Sequence, residues 1–182
     1  MAYLKTREVA AVALGAALWG VLNSIFSPMV FSLTGLPILC DLIGFSILSL
    51  AAWWIRKLGA LTSLGLIATA INFAINPQAV IFLGFTVASA VFDLTSFFAG
   101  YEGRLKKPEV TVAVAIFASV LSAAVAGAII GFFFMSGPAL AIWGGVAGWA
   151  ALHSIGGLFG GILGSVLVKM LVSRKAISSA IW

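Results

Sequence analysis

The sequence predicts an all-α integral membrane protein, a bundle of six transmembrane helices with both termini cytoplasmic. Three observations carry that prediction. Of 182 residues, 63% are hydrophobic and only 8% are charged, whereas a soluble domain needs roughly a quarter of its residues charged to wet its surface. The apolar residues, with a mean hydropathy of +1.21, fall into long runs that lack the alternation of a barrel wall. All ten basic residues fall on one side of the resulting topology. A crossing consumes about 20 residues, so the length allows about six or seven crossings and no soluble domain of useful size. We therefore expect residues 1–182 to form one transmembrane domain without an attached nucleotide-binding domain.

The first apolar run, Val9 to Phe26, follows Lys5, Arg7 and Glu8. No small-residue cleavage site with a polar stretch follows it, so it reads as a retained helix and not a signal peptide. The second, Pro37 to Ile55, ends in Trp53-Trp54 and Arg56-Lys57, an aromatic belt followed by a basic anchor. The third, Leu58 to Ile75, stops at Asn76-Pro77, a breaker pair whose proline is placed to start the next helix. The fourth runs from Ala79 to Gly100, and the polar stretch Tyr101 to Glu109 separates it from the fifth, Val110 to Met135. The last stretch, Pro138 to Ser173, would be about 54 Å long as one helix, against a bilayer core of about 30 Å. Gly144-Gly145 is the natural break, which leaves a short helix or re-entrant segment before a sixth crossing, Val146 to Val172.

With the amino terminus inside, Lys5, Arg7, Arg56, Lys57, Arg104, Lys106, Lys107, Lys169, Arg174 and Lys175 all lie on the cytoplasmic side or its interface. The segments Ser27 to Leu36, Asn76 to Gln78 and Ser136 to Gly145, expected on the other side, carry no charge. This positive-inside pattern predicts a multi-pass protein of the cell membrane. It also accounts for the net charge of +5 without a nucleic acid partner. Cys40, the single cysteine, excludes an intrachain disulfide and a cysteine-based zinc site, and a lone histidine argues against metal chemistry. No metal and no cofactor is expected.

Polar groups at depth are costly and therefore informative. Asp41 falls about 6 Å below the outer end of helix two, and Asn23 and Asn72 lie at similar depths in helices one and three. His153 falls about 10 Å below the outer face in helix six, with Trp149 one turn before it on the same face. Asn23, Asp41, Asn72, Trp149 and His153 thus form an expected substrate-binding layer suited to a small polar heterocycle, cations included. The competing expectation is that each is a separately satisfied group. Asp93, about 21 Å down helix four, is expected to pair with Arg56, Lys57 or Arg104. Its distance from Asp41 argues against an aspartyl protease, whose carboxylates share a proton at close range. Gly44-Phe45-Ser46 with His153 as base is a weak serine-protease signal, so no catalytic residue is assigned and no enzyme is expected. The glycine series Gly156, Gly160, Gly164 and Gly157, Gly161, Ser165 is expected to pack within the bundle.

Helix one carries a small-residue stripe, Ala10, Ala13 and Ala17 with Gly20, in which Ala13 to Ala17 reads Ala-x-x-x-Ala. With six helices, about 180 residues, both termini inside and no ATP-binding loop, the chain resembles the S component of energy-coupling factor (ECF) transporters. Those small membrane subunits capture vitamins and related nutrients. The resemblance implies that Ala13 and Ala17 contact a transmembrane coupling subunit, itself driven by two ATPase subunits. It also implies a substrate site near the extracellular face, closed by the loop Ser27 to Leu36, with Pro28 and Gly35 as hinges. The turns Arg56-Lys57-Leu58-Gly59-Ala60 and Asn76-Pro77 look similar to the thiamine or hydroxymethylpyrimidine branch. The alternative expectation is an accessory subunit whose smooth faces pack in a larger membrane complex.

Overall fold

The computed structural model describes residues 3–101 and 108–173. Every element among them is helical: α1 Thr6–Thr34, α2 Ile38–Ile55, α3 Ala60–Ile75, a 3-10 turn Val80–Phe82, α4 Leu83–Gly100, α5 Pro108–Phe133, a short α6 Gly137–Ala141 and α7 Gly145–Ser173. Five spans, formed by α1, α2, the 3-10 turn with α4, α5 and α7, are long and apolar enough to cross a bilayer. The chain is therefore a membrane protein of multi-pass type. Shorter but equally apolar, α3 has 16 residues, about 24 Å at the helical rise. Large apolar side chains such as Leu14, Phe98 and Phe132 point outward, as a surface solvated by lipid requires.

Helix α1 differs most from the sequence expectation. The segment expected as a loop, Ser27 to Leu36, is helical through Thr34, with Pro28 inside the helix. One missing N–H is tolerated there because the neighbouring hydroxyls bond inside the helix and do not pull the backbone out of it. Ser27 donates to the Asn23 side-chain oxygen, Ser32 to the Met29 carbonyl and Thr34 to the Val30 carbonyl. The stop comes at Gly35, in the left-handed region at φ 70°, whose N–H returns 2.7 Å to the Phe31 carbonyl. Pro77 also departs from expectation. It sits in the turn before the 3-10 segment and not at a helix start, and the Asn76 side-chain oxygen accepts from the Gln78 N–H at 3.3 Å.

The charged end of the bundle is visible at the start of α1 and the end of α2. Lys57 forms a 2.8 Å ion pair with Glu8 and donates to the Tyr3 carbonyl at 2.7 Å, so α1 and α2 run antiparallel. Arg104, Lys106, Lys107, Arg174 and Lys175 lie outside the described residues.

Helix α7 is the pivot of the packing, and its glycines decide how. Gly156, Gly160 and Gly164 face α2 at Asp41, Phe45 and Ser49, while Gly157 and Gly161 face α5 at Ser119 and Ala123. Both series are consumed inside the bundle, where lipid offers no hydrophobic drive and close backbone approach supplies the attraction. A methyl at Gly157 would sit 2.5 Å from the Ala123 Cβ and 2.6 Å from the Ser119 carbonyl oxygen. Neither neighbour is the end of a flexible side chain. Gly157→Ala should therefore destabilise the fold by about 1–3 kcal/mol, as overpacking does. Gly137→Ala, with open space around its Cβ, is the matched control. Thermal midpoints in detergent measure both, and equal midpoints would show that the α5–α7 contact is slack.

Candidate functional site

Helix register brings the expected polar residues into one layer. Trp19 of α1 abuts Gly44 of α2, where an added Cβ would lie 2.7 Å from the indole. Because the two helices are antiparallel, Asn23 and Asp41 both lie about one turn beyond that contact. Gly20 of α1 abuts Ala68 and Ile71 of α3, which sets Asn72 beside the same layer. Across α2, Gly156 of α7 lies against the Asp41 carboxyl, where a Cβ would come within 2.5 Å of Oδ2. One turn earlier in α7 is His153.

The core of the layer is a hydrogen bond of 2.9 Å between His153 Nδ1 and Asp41 Oδ1. Both side chains are sealed from the exterior, with relative exposures of 1% and 0%. The imidazole is held between two aromatic rings, Trp149 at 5.3 Å and Phe85 at 5.8 Å. Behind it, Gly127 of α5 leaves room that a methyl would close, at 2.9 Å from the His153 Cβ and Cδ2. Trp149 is covered in turn by Trp143, at 5.9 Å, and by Phe31 of α1, at 6.3 Å in an edge contact. Phe31 lies in the segment expected to close the site, and it reaches Trp149 from a helix.

Four polar atoms in this layer are buried without a hydrogen-bond partner among the described residues: Asp41 Oδ2, His153 Nε2, Trp149 Nε1 and Asn72 Oδ1. Each such group costs about 1–3 kcal/mol to leave unpaired. Together they offer two acceptors, one indole donor and one imidazole nitrogen whose role depends on the tautomer. Asn23 is committed differently, since its side-chain oxygen accepts from Ser27 on its own helix at 2.8 Å. Trp143 and Phe85 were not expected from the sequence. Trp143 carried the nearest usable signal, an aromatic immediately before the Gly144-Gly145 break.

Cavities lie elsewhere among the described residues, one between α2, α5 and α7 and another between α4 and α5. The side chains of Asp41, Asn72, Trp149 and His153 are sealed from the exterior.

Asp93 has a structural task. Its Oδ2 accepts from the Gly59 N–H at 2.8 Å, the Thr62 N–H at 3.1 Å and the Thr62 hydroxyl at 3.0 Å, while Oδ1 accepts from Tyr101 at 2.8 Å. Among the described residues these partners are neutral donors, and no ion pair joins Asp93 to Arg56 or Lys57; Arg104 is not among them. The carboxylate serves the unpaired amides at the start of α3, where the helix dipole also favours negative charge. Burial, and then the adjacent Asp93 charge, hold the Tyr101 phenol well above its ordinary range, so it remains a donor. Ser46 donates to the Gly160 carbonyl at 3.1 Å, and His153 is engaged with Asp41. The Gly44-Phe45-Ser46 segment therefore lacks the serine–histidine contact a nucleophile needs.

Comparison with known proteins adds no relative: no family model, no curated protein and no solved structure matches this chain.

Proposed function

We propose that this chain is the substrate-capture subunit of an ECF-type uptake transporter, binding a small polar heterocycle in the Asp41–His153 layer. The observation that carries the reading is the group of polar atoms buried there without partners. A membrane interior does not retain unpaired polar atoms cheaply, and a ligand with complementary donors and acceptors would repay that cost. Trp149 and Phe85 beside the imidazole add aromatic surface for a flat ring. In this reading α3 is a sixth crossing, both termini are cytoplasmic, and the layer lies toward the extracellular face. Thiamine and its hydroxymethylpyrimidine precursor are the first compounds to titrate.

The α1 stripe divides in a way that fits a docking role. Gly20 is buried against α3, but Ala10 and Ala13 are exposed and Ala17 is half-buried. The bundle therefore leaves the cytoplasmic half of the stripe open to a coupling subunit, which would supply the ATPases that this chain lacks. The accessory-subunit reading draws on a different fact, the close fit of Gly156 against Asp41, which suits a purely structural pair.

Mass spectrometry of compounds extracted from the purified protein separates the two readings. A bound heterocycle, displaced by an added vitamin, is the expected result. Asp41→Asn should then weaken its binding by about five- to 150-fold, the equivalent of 1–3 kcal/mol for one buried partner. Protein that carries no compound and binds none of the titrated vitamins would favour the accessory reading.

A further inference from the structure

At the end of the bundle opposite the polar layer, α2, α5 and α7 enclose a cavity of about 350 Å³. Trp53, Ala115 and Val168 form its apolar walls, Ser49 and Ser165 lie within it, and Lys169 stands at its edge. Thr111 and Ser173 also line the cavity, and all three serine hydroxyls are already spent, that of Ser173 on the Met170 carbonyl at 3.0 Å. Ser49 donates to the Phe45 carbonyl at 2.7 Å and Ser165 to the Gly161 carbonyl at 2.8 Å. A polar solute entering this space would give up its hydrogen bonds to water and find little to replace them. An alkyl chain gives up nothing.

Charge identifies the head of the occupant. Lys169 is exposed, and its ammonium has no ion-pair partner among the described residues. Lys5, Arg7, Arg56 and Lys57 belong to the same end of the bundle. We propose that this cavity binds one acyl chain of an anionic phospholipid, with the lipid phosphate against the Lys169 ammonium. A choline headgroup would bring a further cation to an end that already carries an excess of them. A helix of a partner protein, about 10 Å across, is too wide to enter. Basic pockets between transmembrane helices bind anionic headgroups by the same electrostatics.

Trp53 in the wall makes the proposal measurable. The purified full chain is titrated with phosphatidylglycerol bearing brominated acyl chains, and separately with brominated phosphatidylcholine. Fluorescence quenching is read as the difference between the wild type and Trp53→Phe. The expected result is quenching of Trp53 at lower concentration by phosphatidylglycerol, by about fivefold for one lysine near the surface. Lys169→Gln, a change at an exposed position that leaves the core intact, should abolish the headgroup preference. Ala115→Phe should fill the space and abolish the Trp53 quenching itself. Equal quenching by the two lipids, or a preference that survives Lys169→Gln, would reduce the site to ordinary lipid contact and overturn the proposal. So would quenching that appears only after residues 174–182 are removed, since the chain's own end would then be the occupant.

Discussion

His153→Ala should destabilise the folded protein by about 3–5 kcal/mol, the combined cost of a buried carboxyl left without its partner and of the cavity the imidazole vacates. The carboxyl of Asp41 is wholly enclosed and its only hydrogen bond among the described residues is to His153. Removing the imidazole leaves both carboxyl oxygens unpaired and opens a void between Trp149 and Phe85. Asp41→Asn should cost less, because the amide keeps the volume of the side chain and a group that can still hydrogen-bond the imidazole. A double replacement, Asp41→Leu with His153→Phe, should recover much of the loss, since apolar groups of similar volume need no partners. Thermal unfolding in detergent, followed by near-ultraviolet circular dichroism, orders the three variants. If His153→Ala melts with the wild type, the pair is not a closed structural contact.

That result bears on ligand binding as well. A variant chosen to weaken the ligand also weakens the fold when the residue is sealed in the core. Asp41→Asn is consequently the better probe of binding and His153→Ala the better probe of stability.

Much of the helical frame was legible in the sequence because its punctuation is local. Arg56-Lys57 after paired tryptophans and the Gly144-Gly145 pair each mark a boundary through their own backbone or charge. The left-handed φ of 78° at both glycines shows why no other residue pair would break the last stretch so sharply. The end of α1 was not legible. Ser27, Pro28, Ser32 and Thr34 are turn-forming types, and whether their hydroxyls bond inside a helix or outside it depends on a surrounding that a sequence does not display. Asp93 shows the same limit for charge. Nearby basic residues suggested an ion pair, but amides exposed where α3 begins, after the left-handed Gly59 at φ 86°, met the carboxylate instead.

The polar layer was legible in depth but not in pairing. Helical rise put Asp41 and His153 within about one turn of each other along the membrane normal. Their direct contact required Gly156 and Gly127 to admit the side chains from either side, and glycine spacing alone does not say which residue fills the gap. The cavity beside Lys169 left no sequence signal at all. It arises where small side chains on facing helices, Ala115 and Ser165 among them, fail to meet.

Under the proposed docking role, Ala13→Trp should leave the isolated chain folded and able to bind the proposed ligand, yet abolish assembly with a coupling subunit and uptake in cells. Ala13 is exposed, whereas the neighbouring Val12 and Ala16 face the core, so an indole at position 13 projects outward and displaces nothing inside. Lipid accepts it readily. Two helices that approach through alanine do not, because their backbones come together only when the side chains between them are small. The effect on assembly should therefore be near complete, while the thermal midpoint in detergent stays close to that of the wild type. Ala16→Trp provides the contrast, since Ala16 is fully buried and an indole there should disrupt the fold before any partner is involved. Co-purification with the coupling subunit, alongside uptake of the labelled ligand, reads the outcome. Normal assembly and uptake by the Ala13→Trp protein would make the stripe ordinary lipid-facing surface and remove the main residue-level support for a docking role.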